Sequence, residues 1–206
     1  YKNSGNHAQP RVGMDGRRLD QICMNWPLHL ATNRQAIWPS EPLMRFIGRT
    51  YGNAPDRSKV RFLDIGSGKH APNTHALTLM GYDVIAIDFA PGALAHERAD
   101  IRASGLFNPE TFDCVLDINT LCHVENPPIK AIRDWLKPGG KFYSIAPHVN
   151  TSRGHLEGKG YCRCADHDSI KHLMVPFGDK WVNGYQDYRD PGRGEIICSW
   201  IIEATK

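Results

Sequence analysis

The strongest constraint on the fold is a single stretch, Val60–Asp88, which reads VRFLDIGSGKHAPNTHALTLMGYDVIAID. Val60 to Ile65 is a short apolar run, and Gly66-Ser67-Gly68 follows it directly. Glycines there permit a tight turn and let backbone amides approach a ligand beside a helix N-terminus. Asn73 is placed to cap a helix through Ala76, Leu77 and Leu79 that Gly81 closes. Val84 to Ile87 is an uninterrupted apolar run between aspartates, the pattern of a strand buried on both faces. Strand, glycine turn, helix and strand ending on an acid make one half of a nucleotide-cofactor site.

The rest of the chain extends the pattern. Residues 1–20 are polar and lack periodicity, so they read as an irregular arm. Leu19 to Arg34 reads as a helical segment broken at Pro27, and a better helix follows with Ser40 placed to cap it, Pro42 in its first turn and Leu43, Phe46 and Ile47 at helical spacing. After Asp88 the pattern predicts a short helix over Pro91–Arg98, a third strand at Ala99–Ile101 and a fourth at Phe112–Asp117. A helix over Pro127–Leu136, a tight turn at Pro138-Gly139-Gly140 and a fifth strand KFYSIA follow. Beyond a glycine-containing loop, Asp168 is placed to cap another helix, and two strands, Lys180–Tyr188 and Glu195–Thr205, are joined by RDPGRG. Alternating strands and helices predict a doubly wound, mostly parallel α/β sheet, here closed by an antiparallel hairpin. The expected organisation is an N-terminal arm and helical lead-in over 1–55, then one cofactor-binding domain over 56–206.

Composition narrows the partners. With 206 residues, 41% apolar and 23% charged, the chain suits one well-buried domain. A net charge of +3 with dispersed positive residues makes nucleic acid an unlikely partner. No apolar run approaches the roughly 20 residues of a bilayer span, and no signal segment opens the chain, so a cytoplasmic protein with no membrane partner is expected. The six cysteines do not form a disulfide framework.

The glycines alone admit two cofactors. GSGKHA fits the dinucleotide pattern G-x-G-x-x-G/A, and Asp88 lies 20 residues past Gly68, so a nicotinamide oxidoreductase is a rival. Carboxylates decide between them. Asp64, ahead of the turn, would repel a pyrophosphate but suits an ammonium group. Asp88 can accept from two ribose hydroxyls, and Asp100-Ile101 offers an acceptor for an exocyclic amine beside an apolar wall for a purine. Amine, ribose and adenine together describe S-adenosylmethionine.

FLDIGSG, VIAIDFAPGAL, FDCVLDINTLCHVENP and LKPGGKFY, in that order, resemble the successive motifs of the class I S-adenosylmethionine-dependent methyltransferases, a fold with seven strands. IWPSEPLMRFI resembles the lead-in helix of small bacterial and phage members. The resemblance implies roles for matching positions. Gly66, Ser67 and Gly68 would line the methionine moiety, with Asp64 anchoring it directly or through water. Asp88 would hold the ribose, Phe89 would lie against adenine, Asp100 would take its amine and Ile101 would pack on the base. Asp117 and the adjacent Ile118 would sit under the methyl to be transferred. His70 stands where the family often has a third glycine.

Methyl transfer needs an aligned nucleophile, exclusion of water and, for a poor nucleophile, a base. His123, six residues past Asp117, and His148, just after the fifth strand, qualify by position. Asn126-Pro127-Pro128 is similar to a DNA amino-methyltransferase signature but lies away from the fourth strand. Cys162, Cys164, His167 and His172 lack zinc-knuckle spacing, so no metal is expected. Trp38 is a candidate to close over the cofactor, and Arg17, Arg18, Arg153 and Arg163 are candidates for an acidic acceptor. Without an inserted domain or basic stripe, the acceptor is expected to be a small molecule. A nucleic-acid methyltransferase and a non-catalytic S-adenosylmethionine-binding module are the alternatives, and oligomeric state is left open.

Overall fold

The structure, a computed structural model, describes residues 36–151, 164–189 and 196–206. The N-terminal arm, the helical segment over Leu19–Arg34, most of the loop after β5 (with Arg153, Cys162 and Arg163) and the turn at 190–195 lie outside the described residues, as do Arg17 and Arg18.

One seven-stranded sheet organises the chain, in the order β3-β2-β1-β4-β5-β7-β6. Its strands are β1 (Arg61–Ile65), β2 (Asp83–Asp88), β3 (Glu97–Arg98), β4 (Phe112–Ile118), β5 (Leu136–Pro147), β6 (Trp181–Arg189) and β7 (Ile196–Thr205). β1 to β5 pair in parallel, with Ile65 level with both Ile87 and Asp117. β7 runs antiparallel between β5 and β6. The order reverses between β1 and β4, so the strand ends part there and leave a crevice at their carboxyl edge.

Two apolar layers cover the sheet. On one face α1 (Glu41–Tyr51) and α2 (Pro72–Leu79) pack over Phe62, Val84, Cys114, Leu116 and Tyr143. Phe46 of α1 stacks on Tyr143 with ring centroids 4.5 Å apart. On the other face α3 (Ile129–Trp135) and α4 (His167–Leu173) cover Leu63, Val115, Phe142, Trp200, Ile202 and Ala204. Continuous apolar strands such as VIAI and CVL need both covers, because each successive side chain points to the opposite face.

Four local expectations are corrected. Pro91–Arg98 is not a helix: Pro91 and Gly92 sit in a turn, and His96 is turned back onto β2. His96 donates its backbone N–H to Ala86 O at 3.0 Å and its Nδ1 accepts from Ala86 N at 3.0 Å, so it completes the β2 edge where β3 is missing. The third strand is therefore Glu97–Arg98, not Ala99–Ile101. Asn73 is not a cap. Ala71, at φ +41°, occupies that position, and Asn73 Oδ1 instead accepts from Ser40 N at 2.9 Å, tying the start of α1 to α2. The cap of α4 is Asp166, which accepts from Ser169 N at 2.8 Å, and Asp168 falls in the first turn. Among the described residues, no helix is long and apolar enough to cross a membrane.

Candidate active site

The carboxyl ends of β1, β2 and β4 bring Asp64, Gly66–Gly68, Asp88 and Asp117 together. Gly66 and Gly68 both have positive φ, +71° and +72°, which an L side chain adopts only with strain. The Gly66 N–H donates to Ile87 O at 2.8 Å, and a Cβ on Gly66 would overlap the Thr120 side chain. Its hydrogen is thus needed for packing. Gly68 differs, because nothing lies within 4 Å of where its Cβ would be: it faces open space. Ser67 is 7% exposed, and its hydroxyl donates to Leu94 O at 2.9 Å. Leu94 N donates in turn to Gly68 O at 2.8 Å, so the loop after β2 is pinned to the glycine turn.

Asp88 closes β2. One oxygen accepts from Gly68 N at 3.0 Å and the other from Ala90 N at 2.9 Å. Only half-buried, it keeps lone pairs for a further donor. Asp64 is 1% exposed and accepts from Thr74 Oγ1 at 2.6 Å. Burial pushes its carboxyl up to about 6, opposed by the Thr74 hydrogen bond and assisted by the charges of Asp117 and Asp88. Asp117, 2% exposed, accepts from Thr120 N at 3.0 Å, Leu121 N at 2.9 Å and Ser144 Oγ at 2.7 Å. Burial raises its pKa too, while those donors pull it down.

The remaining candidates lie around this centre. Phe89, 50% exposed, projects from the end of β2, and its carbonyl accepts from Arg98 Nε at 3.1 Å. Asp100 lies beyond β3 with its carboxylate engaged by Arg102, whose Nε approaches both oxygens at 3.0 and 3.1 Å. Ile101 is 7% exposed and packs in the core with Ile87. Ile118 packs on the α1 face of the sheet. His123 ends a 3₁₀ turn, Leu121–His123, with its backbone N–H on Thr120 O, and its charge acts on Asp117. His148 is farther along, where β5 leaves the sheet beside β7. Trp38 is 78% exposed. Among the described residues, no cluster of His, Cys, Asp or Glu is arranged to hold a metal ion.

Thr74, Thr120, Leu94 and Ser144 were not expected at the site. Only Ser144 left a trace in the sequence, as a polar residue inside the apolar strand KFYSIA. The others are known by their partners, which lie 10 to 54 positions away.

The donors named above for Asp64, Asp88 and Asp117 are amides and hydroxyls, and the three carboxylates converge at the turn, two of them buried. An open glycine backbone, a half-buried carboxylate at the neighbouring strand end and this convergence of acids fit a ligand with hydroxyls and positive charge. S-adenosylmethionine, with its ribose, ammonium and sulfonium, meets that description. A pyrophosphate does not.

Comparison with known proteins agrees. A family model described as methyltransferase domain matches residues 31–177. No curated protein matches the chain. Among solved structures, an S-adenosylmethionine-dependent methyltransferase of Methanosarcina mazei is similar with a TM-score of 0.55 and 18% identity, covering 82% of this chain and 98% of that one. The 1,6-didemethyltoxoflavin-N1-methyltransferase of Burkholderia thailandensis gives 0.59 and 17%, covering 81% and 77%. A phosphoethanolamine N-methyltransferase of Haemonchus contortus gives 0.57 and 14%, covering 90% and 57%. The chain belongs to the methyltransferase domain family, as a class I S-adenosylmethionine-dependent enzyme.

Proposed function

We propose that this enzyme methylates a small-molecule acceptor held over the carboxyl ends of β4 and β5. The observation that supports this reading is the Gly68–Asp88 bond beside open space: a cofactor held there would lie over β1 and β2 and leave the neighbouring strand ends for the acceptor. In this reading S-adenosylmethionine supplies a methyl group already activated by its sulfonium. Asp88 accepts from the ribose hydroxyls while its bonds to Gly68 and Ala90 hold its orientation. Phe89 and Ile101 flank the adenine, and Asp100 meets the exocyclic amine beside Arg102. Gly66, Ser67 and Gly68 line the methionine end, with Ile118 at its rim. Asp64 and Asp117 act there through their field, since both are buried under the turn.

His123 is assigned as the group that accepts a proton from the nucleophile, because it stands on the short turn that follows β4, beside the strand ends left for the acceptor. A small acceptor is supported by the net charge of +3 and by the lack of a basic stripe in the sequence. The Burkholderia thailandensis neighbour, solved with 1,6-didemethyltoxoflavin and S-adenosylhomocysteine, is a precedent for such an acceptor on this fold. Titration calorimetry tests the cofactor assignment directly. S-adenosylhomocysteine is expected to bind and NADH is not; the reverse would overturn it. Duplex DNA or RNA binding that weakens steeply with salt would move the acceptor assignment to nucleic acid.

A further inference from the structure

Where β5 leaves the sheet, His148 joins a cluster with three aromatic rings from later parts of the sequence. His148 stands 5.1 Å from Tyr185 of β6 in an edge-to-face arrangement and 4.8 Å from Trp200 of β7. Tyr185 and Trp200 are opposite one another in the β6–β7 ladder, 6.3 Å apart. His167, at the start of α4, lies 6.2 Å from Trp200. Trp200 itself is fixed: it is 9% exposed and its Nε1–H donates to Ala165 O at 2.8 Å. Tyr185 is 50% exposed, so the cluster has a buried floor and an open aromatic wall.

His148 carries the polar information. Its Nδ1 accepts the backbone N–H of Asn150 at 3.0 Å. A backbone amide can only donate, so Nδ1 holds the lone pair, and in the neutral ring the proton is on Nε2. Nε2–H is then a fixed donor with no lone pair to take a proton. A histidine that looks by position like a base is held by its own loop as the opposite.

We propose that His148, Tyr185 and Trp200 form the acceptor-binding wall, and that it selects a planar aromatic or heteroaromatic acceptor with a nitrogen or oxygen lone pair directed at His148 Nε2–H. This rests on placing the acceptor over β4 and β5. Tyr185 and the edge of Trp200 give the flat surface, since ring contacts favour stacked or edge-to-face partners. His148 orients the acceptor through its ring nitrogen or carbonyl, which leaves proton removal, where needed, to another group.

Quinoline and naphthalene have nearly the same shape, but only quinoline has a lone pair in the ring plane. NMR titration of the protein saturated with S-adenosylhomocysteine should show both binding, quinoline about 5-fold tighter, as expected of one net hydrogen bond. That preference should vanish in His148→Ala and survive in His148→Gln, whose amide can both accept from Asn150 and donate. Tyr185→Ala should weaken both probes equally. In every variant S-adenosylhomocysteine should bind as it does to the wild type. Nitrogen-15 spectra of the imidazoles should place the His148 proton on Nε2. Equal affinity for the two probes, absence of saturable binding, a preference that persists in His148→Ala, or a proton on Nδ1 would each overturn the proposal. Loss of S-adenosylhomocysteine binding by the wild type would count against the cofactor assignment instead, since the two probes can be titrated without it.

Discussion

A carboxylate exposed to the extent of 1%, as at Asp64, opposes folding whenever it is ionised. Its pKa in the folded protein, about 6, lies above the ordinary value of about 3.9, so the folded state holds the proton more tightly than the unfolded chain. The sign follows. The contribution of Asp64 to stability is greatest below about pH 4, falls as pH rises towards 6, and above that stays lower by on the order of 3 kcal/mol. Asp64→Asn is therefore expected to stabilise the ligand-free protein at pH 8 by about 1–3 kcal/mol, with the gain shrinking to nothing near pH 4 in denaturant titrations. The same variant should bind S-adenosylhomocysteine more weakly, because in the proposed site the negative charge that costs stability would attract the ammonium. Asp88 is proposed for a different task. Asp88→Ala removes the proposed ribose acceptor and frees the Gly68 and Ala90 amides, so calorimetry should record about 10-fold or greater loss of affinity, the worth of a charged hydrogen bond of roughly 1.5–3 kcal/mol. Gly66→Ala would meet Thr120 and impose strain at φ +71°, and a loss of about 1–3 kcal/mol in thermal unfolding is expected.

Elements set by local pattern were readable, and those set by distant partners were not. The strand–turn–helix–strand core of β1, α2 and β2, and strand β4, follow from apolar runs, glycines and flanking acids. The few apolar residues of Pro91–Arg98 imitate a helical turn. What decides it is the unpaired edge of β2, which His96 fills with its backbone and its ring. Ser40 likewise invites reading as a side-chain cap, yet it makes no such bond, and its backbone N–H goes to Asn73. That link and the stack on Tyr143 dock α1 on the sheet. Phe46 is 2% exposed, so Phe46→Ala should cost about 3–5 kcal/mol in denaturant unfolding. An unchanged midpoint would mean that α1 packs less tightly than its contacts imply.

Across the molecule the residues proposed to hold the cofactor are legible in the sequence and those proposed to hold the acceptor are not, for a physical reason. Asp64, Gly66, Gly68 and Asp88 lie within 25 residues of one another and sit at motif positions. Tyr185 and Trp200 reach His148 only through the β5–β7–β6 pairing, which no local spacing encodes. A ligand that binds only the folded chain should stabilise it, by about 2.7 kcal/mol at 100 times its dissociation constant. For a chain of this size S-adenosylhomocysteine at that excess should therefore raise Tm by about 5–10 °C in scanning calorimetry, while NADH leaves it unchanged. The strand order has a consequence for biosynthesis. β7 is made after β6 but lies between β6 and β5. While the ribosome is still extending the chain, β6 has no neighbour to pair with, β5 presents an open edge, and the layer that Trp200, Ile202 and Ala204 complete is missing. The nascent chain is then most open to proteases and to pairing with other chains, and the hazard ends only when residues 196–205 clear the exit tunnel.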